Sequence, residues 1–300
     1  MPAPHEVVVI GNVGVDTNVY LAGDRIDLTL ESSFTRNLDC VGQAGGYSSR
    51  GYARLGVRTA FIGHVGDDHH GALVRATFAR DGIDTTALFV DPAGTARSVN
   101  LVTPDGRRRN FYDGKSHLQL RPDHGVCRAT LAGARLAHVH LANWARELLP
   151  LARELGLVVA CDLQDVVAPD DPYRRDFVAQ ADILFFSAVN HGDVGGIMAA
   201  LRRERRDLVI VAGMGAAGCA LGTADGVRGF PPAAGGPVVD TNGAGDSLAV
   251  GFLTSYVLDG CSLEESIHRG QIAARHACTL AGTSDGLITR PELDAGRARP

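Results

Sequence analysis

Between residues 136 and 212, short apolar runs alternate with segments long enough for a helix. Leu136–Leu141, Leu157–Cys161, Ile183–Phe186 and Leu208–Ala212 read as strands, separated by a helix up to Leu155 and a second near Pro172–Gln180. Such runs are apolar almost throughout, not alternately. Strands buried on both faces need that pattern, so it predicts a mostly parallel sheet covered by helices. The first strand is expected at Val7–Ile10, closed by Gly11, and another over Arg58–Gly63, with an amphipathic helix over residues 72–81.

The most informative single stretch lies later, at Val238-Val239-Asp240-Thr241-Asn242-Gly243-Ala244-Gly245-Asp246-Ser247. A strand end, a turn with two glycines and a helix from Ala244 to Leu258 are expected in that order, with a further helix over Leu263–Leu280. The unpaired first N–H groups of such a helix sit at the positive end of its dipole and favour an anion. Asp246 falls in the first turn. Alone it would be read as a capping carboxylate; beside an anion-binding turn it can accept a proton from an attacking hydroxyl while Gly243, Ala244 and Gly245 hold a phosphoryl group.

Asp240-Thr241-Asn242-Gly243-Ala244-Gly245-Asp246 resembles the D-T-x-G-A-G-D signature of the ribokinase-like (PfkB) carbohydrate kinases, matching at every specified position. The resemblance spans nearly the whole chain. It implies a doubly wound α/β fold, one domain over 1–300, with a β-sheet lid from residues 17–41 and 95–113. It also implies transfer of the ATP γ-phosphoryl group to an alcohol, with Asp246 as base and Mg²⁺ offsetting phosphate charge.

Asp16, just past the first strand, matches the family's sugar-binding Asp; its plain reading is a turn residue. Where the family has G-G-x-G-x-N, this chain has Gly42-Gln43-Ala44-Gly45-Gly46-Tyr47 before a helix over Ser48–Leu55, so Gln43 and Tyr47 would present a different surface to substrate. In the hairpin around Pro104-Asp105-Gly106, Arg97 or Asn100 would face the substrate, whereas Arg107, Arg108 and Arg109 read as a solvated tip. Asn190 and Asp193 correspond to the family's N-x-x-E, which supports Mg²⁺ and the triphosphate through water, although Asp193 reads equally as a helix cap. Gly213, Gly215 and Gly218 resemble the nucleotide loop or simply turn a hairpin. The resemblance adds Thr241 and His276 to the nucleotide side, and Asp240, Asn242, Gly282 and Gly286 to a monovalent-cation site taking K⁺.

Several features are set aside. Asp67, Asp68, His69 and His70 are consecutive on one turn and point apart, so they read as connection, not as metal ligands. Gly114-Lys115-Ser116 lacks the first glycine of a phosphate loop. His138 and His140 share a strand face and read as packed. Arg202-Arg203-Glu204-Arg205-Arg206 reads as a solvated helix end. Six scattered cysteines without a C-x-x-C pair, and a start at Met1-Pro2-Ala3-Pro4 with no apolar leader, suit a cytoplasmic protein. A net charge of −5 argues against nucleic acid or an anionic membrane as the main partner. A homodimer through the lid is the expected assembly if the lid exposes an apolar face.

The acceptor is expected to be a sugar or sugar-like alcohol. Gly42-Gln43 and the Ser98–Arg108 hairpin look similar to the acarbose kinases of this family, which phosphorylate a pseudo-oligosaccharide. A monosaccharide, a nucleoside, and a ligand-sensing relative without catalysis stand as alternatives.

Overall fold

The computed structural model describes residues 5–296 except 167, 169, 204 and 283. Met1-Pro2-Ala3-Pro4, Glu204 in the charge run and Thr283 in the loop before Gly286 lie outside the described residues.

Thirteen strands form two sheets among the described residues. The strands are β1 (Val7–Ile10), β2 (Gly14–Tyr20), β3 (Arg36–Gly42), β4 (Thr59–Val65), β5 (Asp84–Val90), β6 (Ala96–Val102) and β7 (Arg108–Asp113), then β8 (Leu136–His140), β9 (Val158–Asp165), β10 (Ile183–Ser187), β11 (Val209–Gly213), β12 (Cys219–Thr223) and β13 (Gly226–Phe230). The helices are α1 (Gln43–Arg54), α2 (His69–Arg80), α3 (His124–Leu131), α4 (Leu149–Glu154), α5 (Arg175–Gln180), α6 (Val194–Leu201), α7 (Ala244–Leu253), α8 (Leu263–Cys278) and α9 (Arg290–Gly296).

The large sheet runs β13-β12-β11-β10-β9-β8-β1-β4-β5, parallel from β5 to β11 and antiparallel over the last two strands. Its central strands are buried on both faces. Val8 and Ile10 of β1 pack into one apolar core and Val7 and Val9 into the other, so a continuous apolar run serves two layers at once. The carboxyl ends of β1, β8, β9, β10 and β11 open on one edge, where ligands bind in open parallel sheets.

The small sheet has the order β3-β2-β6-β7, with β2 beginning at Gly14, ahead of the segment 17–41. Residues 21–35 between β2 and β3 form no strand and are mostly exposed. Helix α1 begins at Gln43, not Ser48. Gln43 has a left-handed φ of 60°, and Gly45 N–H bonds Asn12 O at 3.0 Å, which starts the helix five residues earlier than its composition suggests. The helix expected over Ala244–Leu258 is α-helical only to Leu253 and ends in a π-helical turn, Thr254–Leu258.

Asp68 has a structural part in the acidic-histidine turn. It caps α2 by accepting Gly71 N–H at 2.8 Å and also receives Thr95 N–H and Thr95 Oγ1. Both carboxylate oxygens are committed to structure.

Candidate active site

The signature turn is built around Gly243, the residue preceding α7, whose φ of 72° lies in the left-handed region that glycine tolerates. Gly245, two residues on, is exposed, and a Cβ there would meet nothing within 4 Å. No packing demands that glycine, so the space above it is left for an approaching group. Asp246 is partly buried in the first turn of α7. Burial pushes its carboxyl well above the usual range, the charge of Asp162 pushes the same way, Arg108 opposes, and Asp16 adds a further upward push.

Opposite lies the small sheet. Cross-strand partners share a sheet face, so Asp16 lies on one face with Cys40, Ser98 and Tyr112, Asn18 with Asn100 and Asn110, and Tyr20 with Val102 and Arg108. Asp16 is 3% exposed, and its Oδ2 accepts Gln43 N–H at 3.2 Å, Tyr47 O–H at 3.0 Å and Asn242 Nδ2 at 3.4 Å. Its Oδ1 is buried with no hydrogen bond, as are both polar atoms of the Gln43 side chain. Buried polar atoms left in this way are costly unless a ligand meets them. Gly42 lets Asp16 sit there: a Cβ at Gly42 would be 2.3 Å from Asp16 Oδ2. Gly45 is similarly confined by Asn12 O and Phe61, and Gly46 less tightly by Val13.

Tyr47 is 3% exposed, and its hydroxyl receives Asn242 Nδ2 at 2.6 Å, so it joins Asp16 to the signature turn. Arg97 and Asn100 part company, being three residues apart on a strand. Asn100 is fully buried, donating to Asn18 Oδ1 at 2.9 Å and accepting from Asn110 at 2.8 Å, while Arg97 is exposed on the other face. Arg108 is exposed, as a solvated tip would be, but it pairs with Val102 on the face of Tyr20 and its charge acts on Asp246.

The Asp240 carboxylate is fully buried. Oδ1 accepts Asn242 N–H at 2.8 Å and Oδ2 accepts the Tyr20 hydroxyl at 2.8 Å. Gly282 N–H in turn donates to Tyr20, and His276 Nε2 is 2.9 Å from Gly286 O. Thr241 Oγ1 donates to Gly106 O at 3.0 Å, joining the signature to the lid hairpin.

Asn190 and Asp193 are exposed beyond the end of β10, and Asp193 caps α6 by accepting Gly196 N–H at 2.8 Å. Across from them, Gly213, Gly215 and Gly218 join β11 to β12, with Met214 N–H bonded to Gly218 O at 2.8 Å. Gly218 has φ 91° and no room for a Cβ beside Phe230 O, so it turns the hairpin; Gly215 is open and exposed beside Val189.

Two groups stand beside Asp246: His140, which sequence reasoning read as packed, and Asp162, which it did not single out. His140 ends β8 and Asp162 lies in β9, and a ligand atom of each lies within 4.8 Å of one of Asp246. Asp162 had a usable signal, a carboxylate at the carboxyl end of the apolar run Val158-Val159-Ala160-Cys161.

The pattern of the pfkB family of carbohydrate kinases matches residues 5–290. The chain belongs to this family. It is 34% identical over 294 residues to an acarbose 7(IV)-phosphotransferase from Actinoplanes sp., covering 96% of this chain and 97% of that protein. It is 28% identical to a fructokinase from Escherichia coli, covering 94% and 99%. Among solved structures, the microbiome-derived acarbose kinase Mak1 superposes with a TM-score of 0.90 at 30% identity, covering 99% of this chain and all of that one. Arabidopsis thaliana ribokinase, at 19% identity, shares the fold with a TM-score of 0.82. This pfkB kinase is therefore a phosphotransferase that uses ATP and acts on a hydroxyl of a sugar-class acceptor. None of its described helices is long and apolar enough to cross a membrane.

Proposed function

We propose that the chain phosphorylates an acarbose-type pseudo-oligosaccharide, with Asp246 as the general base. The observation that carries the acceptor is the 34% identity to the Actinoplanes acarbose 7(IV)-phosphotransferase over almost the full length of both chains. The base rests on geometry: a carboxylate with a raised pKa stands in the first turn of α7, beside a glycine that opens to empty space.

The acceptor hydroxyl donates its proton to Asp246 as its oxygen attacks the γ-phosphorus. The positive end of α7, with the N–H groups of Gly243, Ala244 and Gly245, stabilises the charge on the transferred group. Asp16, through its buried Oδ1, orients the acceptor, and the two buried polar atoms of the Gln43 side chain add to it. The ATP phosphates lie towards the open loop at Gly213 and Gly215, with Gly218 shaping its exit and Thr241 and His276 bordering the nucleotide.

Asn190 and Asp193 present hard oxygen donors to water at the end of β10, a set that suits Mg²⁺ held through water. Mg²⁺ supplies charge neutralisation between the phosphates. The fully buried Asp240 carboxylate is met by two neutral donors, Asn242 N–H and the Tyr20 hydroxyl, which supports K⁺ beside it, with Asn242, Gly282 and Gly286 contributing backbone. Val99 and Phe111 pair on the exposed outer face of the lid and support self-association there; sedimentation of the free protein tests this.

The acceptor is tested by ATP consumption with acarbose, maltotriose, fructose, ribose and adenosine. Acarbose-dependent turnover with a kcat/KM above that of each other compound is the expected result. Preference for fructose would make this a monosaccharide kinase, and preference for adenosine a nucleoside kinase.

A further inference from the structure

Two buried groups, His140 and Asp162, meet the partly buried Asp246 at the carboxyl ends of β8 and β9 under the signature turn. His140 is 1% exposed and Asp162 8%, and both ring nitrogens of His140 lack a hydrogen-bond partner. One ligand atom from each of His140, Asp162 and Asp246 lies within 4.8 Å of the others. Three atoms so placed leave a point within about 2.8 Å of all of them, which is the hydrogen-bond reach of a single hydroxyl oxygen.

The backbone is shaped to hold this arrangement. Asp162 Oδ1 accepts Gln164 N–H at 2.7 Å, and Gln164 takes a left-handed φ of 55° inside a strand. The pairing of β9 with β10 slips its register between Phe185 and Ser187, a bulge that re-aims the strand end. His140 lies directly on Gly11, where a Cβ would be 2.8 Å from His140 Cβ.

We propose that His140 and Asp162 complete the acceptor end of this site, His140 holding the attacking oxygen and Asp162 keeping Asp246 basic. The inference rests on the reading of Asp246 as the base. A hydroxyl oxygen has one proton and two lone pairs. The proton goes to Asp246, one lone pair accepts the His140 N–H, and the other is left facing the γ-phosphorus. That oxygen forms the new P–O bond as the bond to ADP breaks, and Asp246 keeps the proton.

The groups facing Asp246 are Asp162 of β9, His140 of β8, Asp16 of β2 and Arg108 of β7. Burial holds the His140 imidazole down to about 3, so it is a neutral hydrogen-bonding group at assay pH. Asp162 then supplies the nearest like charge, and two adjacent buried carboxylates resist joint ionisation.

The test compares kcat, KM and pH profiles of the wild type, Asp162→Asn, His140→Leu and His140→Gln with MgATP and the best acceptor. Asp162→Asn is expected to move the acidic limb of kcat/KM to lower pH by about one unit and to lower the plateau about tenfold. His140→Leu is expected to lose about 100-fold in kcat, and His140→Gln, which keeps an N–H donor, to recover at least about tenfold of that. An ATP-induced rise in Tm shows that each variant is folded. An unmoved limb in Asp162→Asn, or a Gln variant no better than Leu, overturns the inference. Full turnover by Asp246→Asn would instead overturn the base assignment beneath it.

Discussion

The Tyr20 hydroxyl donates to Asp240 Oδ2 at 2.8 Å while accepting the Gly282 N–H at 2.9 Å, so one phenol ties the lid to the first residue of the signature. Burial and the Asp240 charge push the phenol above its ordinary range, which keeps it a donor. Tyr20→Phe leaves a buried carboxylate oxygen and a backbone N–H without their partner. It is expected to destabilise the protein by about 1–3 kcal/mol, and added K⁺ to restore part of the loss by supplying charge to Asp240. Thermal unfolding with K⁺ or choline checks this; a Tm equal to the wild type's would show that the contact carries no weight.

Gly42 is demanded by Asp16. The missing side chain would lie 2.3 Å from Asp16 Oδ2, and the obstacle is the carboxylate itself. Gly42→Ala should displace that carboxylate and raise KM for the acceptor by about 10–100-fold, with ATP affinity unchanged. Equal effects on both substrates would mean a general collapse of α1 instead of a displaced Asp16.

Asp162 carries a stability cost. Burial raises its pKa from 3.8 to about 6 in the folded protein. A group raised in this way contributes stability fully below its unfolded pKa and loses it as pH rises through the folded one. The wild type should therefore weaken between about pH 4 and 6 through this group, and Asp162→Asn should be more stable at pH 7.5 by about 1–3 kcal/mol. Urea unfolding at pH 4.5 and pH 7.5 measures it. A variant less stable at pH 7.5 contradicts the account, whereas a stabler but slower enzyme is the trade expected of a functional carboxylate.

The parallel sheet was legible because buried strands such as Val7–Ile10 must be apolar on both sides, and the signature because its glycines and Asp246 sit at fixed spacing. The small sheet was legible as strand-like runs, yet its inner face was not. That face depends on register, which pairs Tyr20 with Val102 and Val102 with Arg108, and a run of three arginines hides its phase. His140 looked like packing because a buried histidine and a site histidine share the same strand pattern. Only the arrival of α7 from a hundred residues away sets Asp246 beside it. The start of α1 was missed because Gln43 adopts a backbone conformation that its type disfavours.

The most direct test of the central claim is single-turnover phosphoryl transfer by Asp246→Asn, with ATP binding measured on the same sample. The Asn side chain keeps the shape of the turn and loses the proton acceptor. If Asp246 is the base, ATP affinity stays near the wild-type value while transfer to the acceptor slows by about 10²–10⁴-fold. Transfer at the wild-type rate would contradict that role and move the proton acceptor elsewhere in the site.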